Sequence, residues 1–108
     1  MNKDDLKNIL LRHEGQNQAI TGRELASIFW LKDDRQIRLT IRELITEGIP
    51  IASSTEAPAG YFLVANRKEA EQYALSVRGR LINDALRRRD FRRAADQWLT
   101  PAEQGKLI

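Results

Sequence analysis

Apolar residues recur along this chain with two periods, and the change of period divides it. Over residues 4–13, Leu6, Ile9, Leu10 and His13 fall at offsets of 0, 3, 4 and 7, the spacing that lines one face of an α-helix. Asp4 and Asp5 stand at its start, where the macrodipole favours anions, and Gly15 with Gln16-Asn17-Gln18 ends it. Thr21-Gly22-Arg23-Glu24 then sets a hydroxyl three residues before a carboxylate, a capping box in which each side chain satisfies an exposed backbone donor. Leu25, Ile28 and Phe29 predict the buried stripe of a short second helix. A second box, Asp33 with Gln36 reaching back, opens a third helix from about Asp34 to Glu47. Its apolar face is Ile37, Ile41, Leu44 and Ile45, and Gly48 is its stop.

Beyond Gly48 the period shortens. Ile49-Pro50-Ile51-Ala52-Ser53 and Tyr61-Phe62-Leu63-Val64 have the composition of strands, and Pro58 and Gly60 between them are turn residues, so the segment predicts a two-stranded hairpin. Pro50 has no N–H to give a ladder and belongs at a strand's start or on an edge. A third box, Asn66-Arg67-Lys68-Glu69, opens a long helix near Arg67 with Ala70, Tyr73, Ala74, Val77, Leu81 and Ala85 along one stripe. Gly79 costs that helix about 1 kcal/mol relative to Ala, and the helix is expected to continue through it. Phe91, Trp98 and Leu99 are expected to dock on the domain or on a second chain, and Thr100-Pro101 to break the helix.

The expected class is α+β: a three-helix core with a two-stranded hairpin over residues 1–66, then a C-terminal helical extension over 67–108. Leu25-Ala26-Ser27-Ile28-Phe29, the run Asp33 to Gly48 with Ile37, Ile41 and Leu44 inward, Gly48-Ile49-Pro50-Ile51 and Gly60-Tyr61-Phe62-Leu63 carry a family likeness. Over residues 4–64 the chain resembles the biotin-repressor-type winged helix-turn-helix of small bacterial and bacteriophage DNA-binding proteins. The resemblance implies double-stranded DNA as partner, the third helix in a major groove and the hairpin as a wing beside the backbone. It further implies a transcriptional regulator or a phage or prophage replication accessory factor.

On a helical wheel the face opposite Ile37, Ile41 and Leu44 centres on Leu39 and Thr46. Arg35, Gln36 and Arg42 are the candidate base or phosphate readers there, because an arginine fork matches guanine and a glutamine amide matches adenine. Arg38 is a candidate backbone contact, and Leu39 a candidate partner for a thymine methyl. Lys32 adds charge at the helix entry. Lys32, Arg35, Arg38 and Arg42 are balanced by Asp33, Asp34, Glu43 and Glu47, so a merely solvated face stays open. Thr21 and the Gly22 amide, with Arg23, offer a phosphate the start of the second helix, although capping alone explains Thr21 equally well. On the wing, Ser53, Ser54 and Thr55 can donate to phosphates. Residues 49–65 hold no Lys or Arg, however, a departure from the basic residue that family wings present.

Composition narrows the alternatives. The 108 residues carry no cysteine, which removes disulfides, thiol nucleophiles and thiolate metal sites. No apolar run approaches the roughly 20 residues of a membrane helix, and no secretory signal opens the chain, so a cytoplasmic protein without membrane contact is expected. Residues 1–60 hold 8 Lys/Arg and 9 Asp/Glu, whereas 61–108 hold 10 and 6. Arg87, Arg88, Arg89, Arg92 and Arg93 concentrate that excess, either as backbone contacts or as the solvated end of a helix. Beyond Gly79 the long helix is expected to pair with a second copy as a homodimer, while Tyr73 and Val77 pack on the core or join that seam.

His13, the only histidine, reads as a packed residue, and the paired aspartates fall at helix starts, where capping explains them. There is no phosphate-binding glycine loop, zinc-protease motif or dinucleotide fingerprint. No catalysis, cofactor or metal is expected. The rival reading is a winged helix that binds a protein partner through the Leu39 face. Single-stranded nucleic acid ranks last, because most of the seven aromatic residues are expected in the core or tail.

Overall fold

The structure, a computed structural model, describes residues 1–99. It is α+β, with α1 (Lys3–Leu10), a 3-10 turn at Gln16–Gln18, α2 (Gly22–Ile28), α3 (Arg35–Thr46), β1 (Ile51–Ser54), β2 (Gly60–Leu63) and α4 (Arg67–Trp98). Asn2 starts α1 by accepting the Asp5 N–H at 2.8 Å. The helix is shorter than its apolar period suggests. Arg12 and His13 make tightened bonds to Ile9 and Leu10, and the His13 carbonyl is then taken by the Leu63 N–H at 2.8 Å, so the chain turns away to meet β2. His13 is half-buried, with Nδ1 2.7 Å from the Gln18 carbonyl.

The Thr21 hydroxyl caps α2 by accepting the Glu24 N–H at 3.0 Å. Glu24 does not return to the Thr21 backbone; its carboxylate accepts the Thr21 hydroxyl instead. Ile28, expected in the buried stripe, is 49% exposed. The helix ends at Phe29, and the chain reverses through Trp30 at φ 58°. The Leu31 N–H reaches the Ala26 carbonyl at 2.8 Å, and it is Leu31 that packs on the core.

α3 begins one residue later than the box predicts. Asp33 accepts the Arg35 N–H at 3.0 Å, whereas Gln36 makes no return bond and its carbonyl accepts the Thr40 hydroxyl at 2.8 Å. Thr40 joins Ile37, Ile41 and Leu44 in the buried stripe, its hydroxyl satisfied within the helix. Ile45, assigned inward from sequence, lies a full 100° from Leu44 and is 44% exposed. At the C-terminus, Ile49 N–H bonds Leu44 and Gly48 N–H bonds Ile45, both at 3.0 Å, with Gly48 at φ 106°, the pairing that closes a helix on a left-handed residue.

β1 and β2 pair antiparallel, Ile51 opposite Leu63 and Ser54 opposite Gly60. The other edge of β2 is also occupied. Tyr61 and Ile20 exchange backbone bonds at 2.7 and 2.9 Å, and the Gly15 N–H reaches the Leu63 carbonyl at 2.8 Å. Residues 13–20, polar and without period, therefore act as the third partner of the hairpin. Leu6, Leu10, Leu25, Ile37 and Leu44 are fully buried at the centre of the core, joined by Ile20, Ile41 and Ile51.

Asn66 caps α4 by accepting the Glu69 N–H at 2.9 Å. The Glu69 carboxylate accepts the N–H groups of Ala65 and Gln16 at 2.8 and 2.9 Å, fastening the first turn of α4 to the 3-10 turn. Two compact units result, one over residues 1–73 and one starting at Ala74. The described part of the second is helix to Trp98, uninterrupted at Gly79 and without a buried side chain. Of the apolar stripe read from sequence, Leu81 is 66% exposed in the single chain, Ala74 and Ala85 are exposed too, and Val77 and Tyr73 are half-buried. Phe91 and Trp98 are 72% and 87% exposed, so neither is docked among the described residues. The expected break at Thr100-Pro101 lies outside the described residues.

Three substitutions separate backbone conformation from packing. Gly60 sits at φ 129°, and a Cβ there would overlap the Ile20 carbonyl, whereas a Cβ at Gly48 would meet open space. Gly48→Ala is expected to lower stability by about 1 kcal/mol, and Gly60→Ala by about 2–3 kcal/mol because the β2 pairing must also shift. Trp30→Gly, at an exposed left-handed position, should raise stability by roughly 1 kcal/mol. Thermal or urea unfolding orders the three.

Candidate functional site

Burial of one side of α3 leaves the other side as a single surface. Arg35, Gln36, Arg38, Leu39, Arg42, Glu43 and Thr46 are all exposed, with Leu39 54% accessible in their midst. The structure thus brings together the α3 residues singled out from sequence. Their charges are not equally available. Arg38 Nε lies 3.5 Å from Asp34, one turn earlier, and Glu47 is held by Lys3 of α1 at 2.8 Å. That hydrogen bond is the main reason the Lys3 ammonium is held above its usual range; desolvation opposes it, and the charges of Glu47, Glu43 and Asp4 add to it. Arg35 and Arg42 have no ion pair among the described residues.

Lys3 escaped sequence reading altogether. It is brought to α3 only because α1 packs across that helix, and it lines a shallow depression with Leu39, Arg42, Glu43, Thr46 and Glu47. No local pattern in residues 1–10 marks it. Trp30 was also missed: it is 93% exposed in the turn before α3, at a backbone position that favours glycine.

The other candidates are placed differently. Arg23 and Lys32 share one depression with the carboxylates of Asp33 and Asp34. The Asp34 side chain lies against Gly22, so close that a Cβ on residue 22 would come within 2.9 Å of its Oδ2. A carboxylate thus already stands at the start of α2, where the Thr21 hydroxyl is engaged with Glu24. On the hairpin, Ser53 and Ser54 are half-buried, and the Ser54 hydroxyl is bonded within the turn to the Glu56 backbone; Thr55 is exposed. Arg87, Arg88, Arg89, Arg92 and Arg93 belong to the second unit, all exposed along α4.

Among the described residues no group of three or more His, Cys, Asp or Glu is placed to hold a metal ion, and no helix is long and apolar enough to cross a membrane. Comparison with family models, curated proteins and solved structures returns no match to this chain.

Tyr61 reports on the Asp34 cluster. Burial pushes its phenol above the usual tyrosine range, the Asp34 charge adds to the rise, and Arg38 opposes it. A phenol whose folded pKa is raised contributes stability below pH 10 that is lost as pH climbs through the folded value. In a Tyr73→Phe background, ultraviolet titration should place the Tyr61 midpoint above 10, and Asp34→Asn should bring it down. A midpoint unmoved by Asp34→Asn would separate Tyr61 from that carboxylate.

Proposed function

We propose that this protein binds double-stranded DNA as a winged helix-turn-helix, with α2 and α3 as the motif and the β1–β2 hairpin as the wing. The observation that carries the reading is the face of α3. Four buried side chains fix its rotation, and opposite them Arg35, Gln36, Leu39 and Arg42 stand together on one exposed helical surface. A helix fits the major groove, and these residue types match what it displays: guanine acceptors for arginine, adenine for glutamine, the thymine methyl for leucine. Arg38, tied to Asp34, is better suited to a phosphate than to a base edge. The wing contributes little charge, since it lacks a cation, and of its three hydroxyls that of Ser54 is engaged within the turn. The role that fits is non-catalytic: a cytoplasmic transcriptional regulator or replication accessory factor of the bacterial or phage type.

A second reading rests on Leu39. A leucine more than half exposed beside a shallow depression also suits a protein partner, with the same face serving as a docking surface.

Arg42→Ala discriminates between them. Loss of one bidentate base contact costs about 1–3 kcal/mol, so duplex affinity measured by fluorescence anisotropy should fall by roughly fivefold or more, with the circular dichroism spectrum unchanged. Unchanged affinity would remove α3 from the DNA interface and favour the protein partner, for which Leu39→Ala is the disabling substitution.

A further inference from the structure

The α3 face leaves the most basic stretch of the chain unused. From Ala74 to Leu99 every cation is arginine, seven in all, against three aspartates and no glutamate. Their placement is uneven. Arg88, Arg89, Arg92 and Arg93 line one open groove along α4, whereas Arg87, a near half-turn of the wheel away, is not among the lining residues. The five-residue arginine cluster of the sequence is thus a four-residue face with one outlier. Asp96, at the far end, is the single carboxylate lining the groove.

Three features distinguish this face from the rest of α4. Arg88, Arg92 and Arg93 have no ion pair among the described residues, and the Arg89–Asp90 pair, at 3.4 Å and well exposed, is weak in water. Arg88 with Arg92 and Arg89 with Arg93 are like-charge pairs one turn apart, which work against the helix, and Asp84 before Arg88 and Asp96 after Arg92, at the same spacing, offset that in part. No buried side chain in α4 adds to the compensation. A polyanion laid along the groove removes the remaining repulsion.

Charge density points to a nucleic acid. Arg88 to Arg93 spans about 7.5 Å of helix axis at 1.5 Å per residue, so the four guanidinium groups follow one another at about 2.5 Å. Duplex DNA carries one phosphate per about 1.7 Å of axis and a single strand one per about 3.4 Å, so this spacing falls in the nucleic-acid range, and the duplex is the form that the α3 face is read to take. Guanidinium also offers a planar fork of donors that fits phosphate oxygens better than an ammonium does.

We propose that the Arg88/Arg89/Arg92/Arg93 face of α4 grips the sugar-phosphate backbone of duplex DNA without reading its sequence. This contact goes beyond the α3 reading and takes from it only the choice of duplex over single strand. Base edges play no part, so the contact weakens or strengthens alike on every sequence.

The test uses the full chain and two fourfold variants, all four arginines changed to Gln in one and to Lys in the other. Both replacements are good helix formers and none of the four side chains is buried, so helicity should hold in both. Duplex affinity is measured by anisotropy over a series of salt concentrations. Each neutralised phosphate contributes about 0.9 to the slope of log affinity against log salt, so the Gln variant should lose about 3 to 4 of slope. Its affinity should drop by a similar factor on unrelated duplexes, while the Lys variant keeps most of the slope. An unchanged slope in the Gln variant overturns the proposal. So does a wild-type chain that binds no duplex at low salt, or one that prefers a single strand of equal length. If Arg42→Ala binds like wild type while the Gln variant loses slope, the α3 reading fails and this contact stands. The converse pattern removes this contact alone.

Discussion

Burial of Ile37, Thr40, Ile41 and Leu44 sets the rotation of α3 about its own axis, and the exposed chemistry follows from that rotation. A helix turned by one residue, about 100°, would sink Arg38 or Arg42 into a core made of Leu6, Leu10, Leu25 and Ile51. Burying an unpaired guanidinium there is prohibitive, so the stripe and the exposed face specify one another. α1 and β1 pack on the same stripe, and β2 is held in place from its far side by residues 13–20. The rigidity of the α3 surface is therefore a property of the whole first unit.

Local signals in the sequence located almost every element, because each helix start carries its own chemistry. Thr21, Asn66 and Gly48 do in the structure what their residue types predict. Where the reading failed, a tertiary partner decided. α1 stops early because the His13 carbonyl is claimed by β2; Ile28 is exposed because Leu31 is carried onto the core by the turn at Trp30. The pairing of residues 13–20 with β2 leaves no mark in a polar, aperiodic stretch. Lys3 reaches α3 only through helix packing. At Leu81 a helical stripe is visible in the sequence, and within the single chain nothing among the described residues covers it.

The α3 candidates read from sequence share one face, while Thr21 is engaged as a cap and Ser54 both accepts from and donates to the Glu56 backbone in the turn. The charge balance also changed meaning. Counted along the sequence, the neighbourhood of α3 is neutral. In space, Asp34 is matched by Arg38 and Glu47 by Lys3, which leaves Lys32, Arg35 and Arg42 facing Asp33 and Glu43. A short list of carboxylates placed against specific cations thus frees two arginines on the α3 face. Along the arginine face of α4, Arg89 is paired with Asp90 at 3.4 Å, whereas Arg88, Arg92 and Arg93 have no ion pair among the described residues.

The central claim is that α3 is the surface that meets DNA. The most direct measurement is a titration of the isotope-labelled chain with duplex DNA, following backbone amide shifts by nuclear magnetic resonance. The account predicts salt-sensitive shifts concentrated at Arg35, Gln36, Arg38, Leu39 and Arg42, with the buried Ile37 and Leu44 amides moving little and residues 13–20 silent. Shifts absent from α3, in a chain that binds duplex elsewhere or not at all, would contradict it.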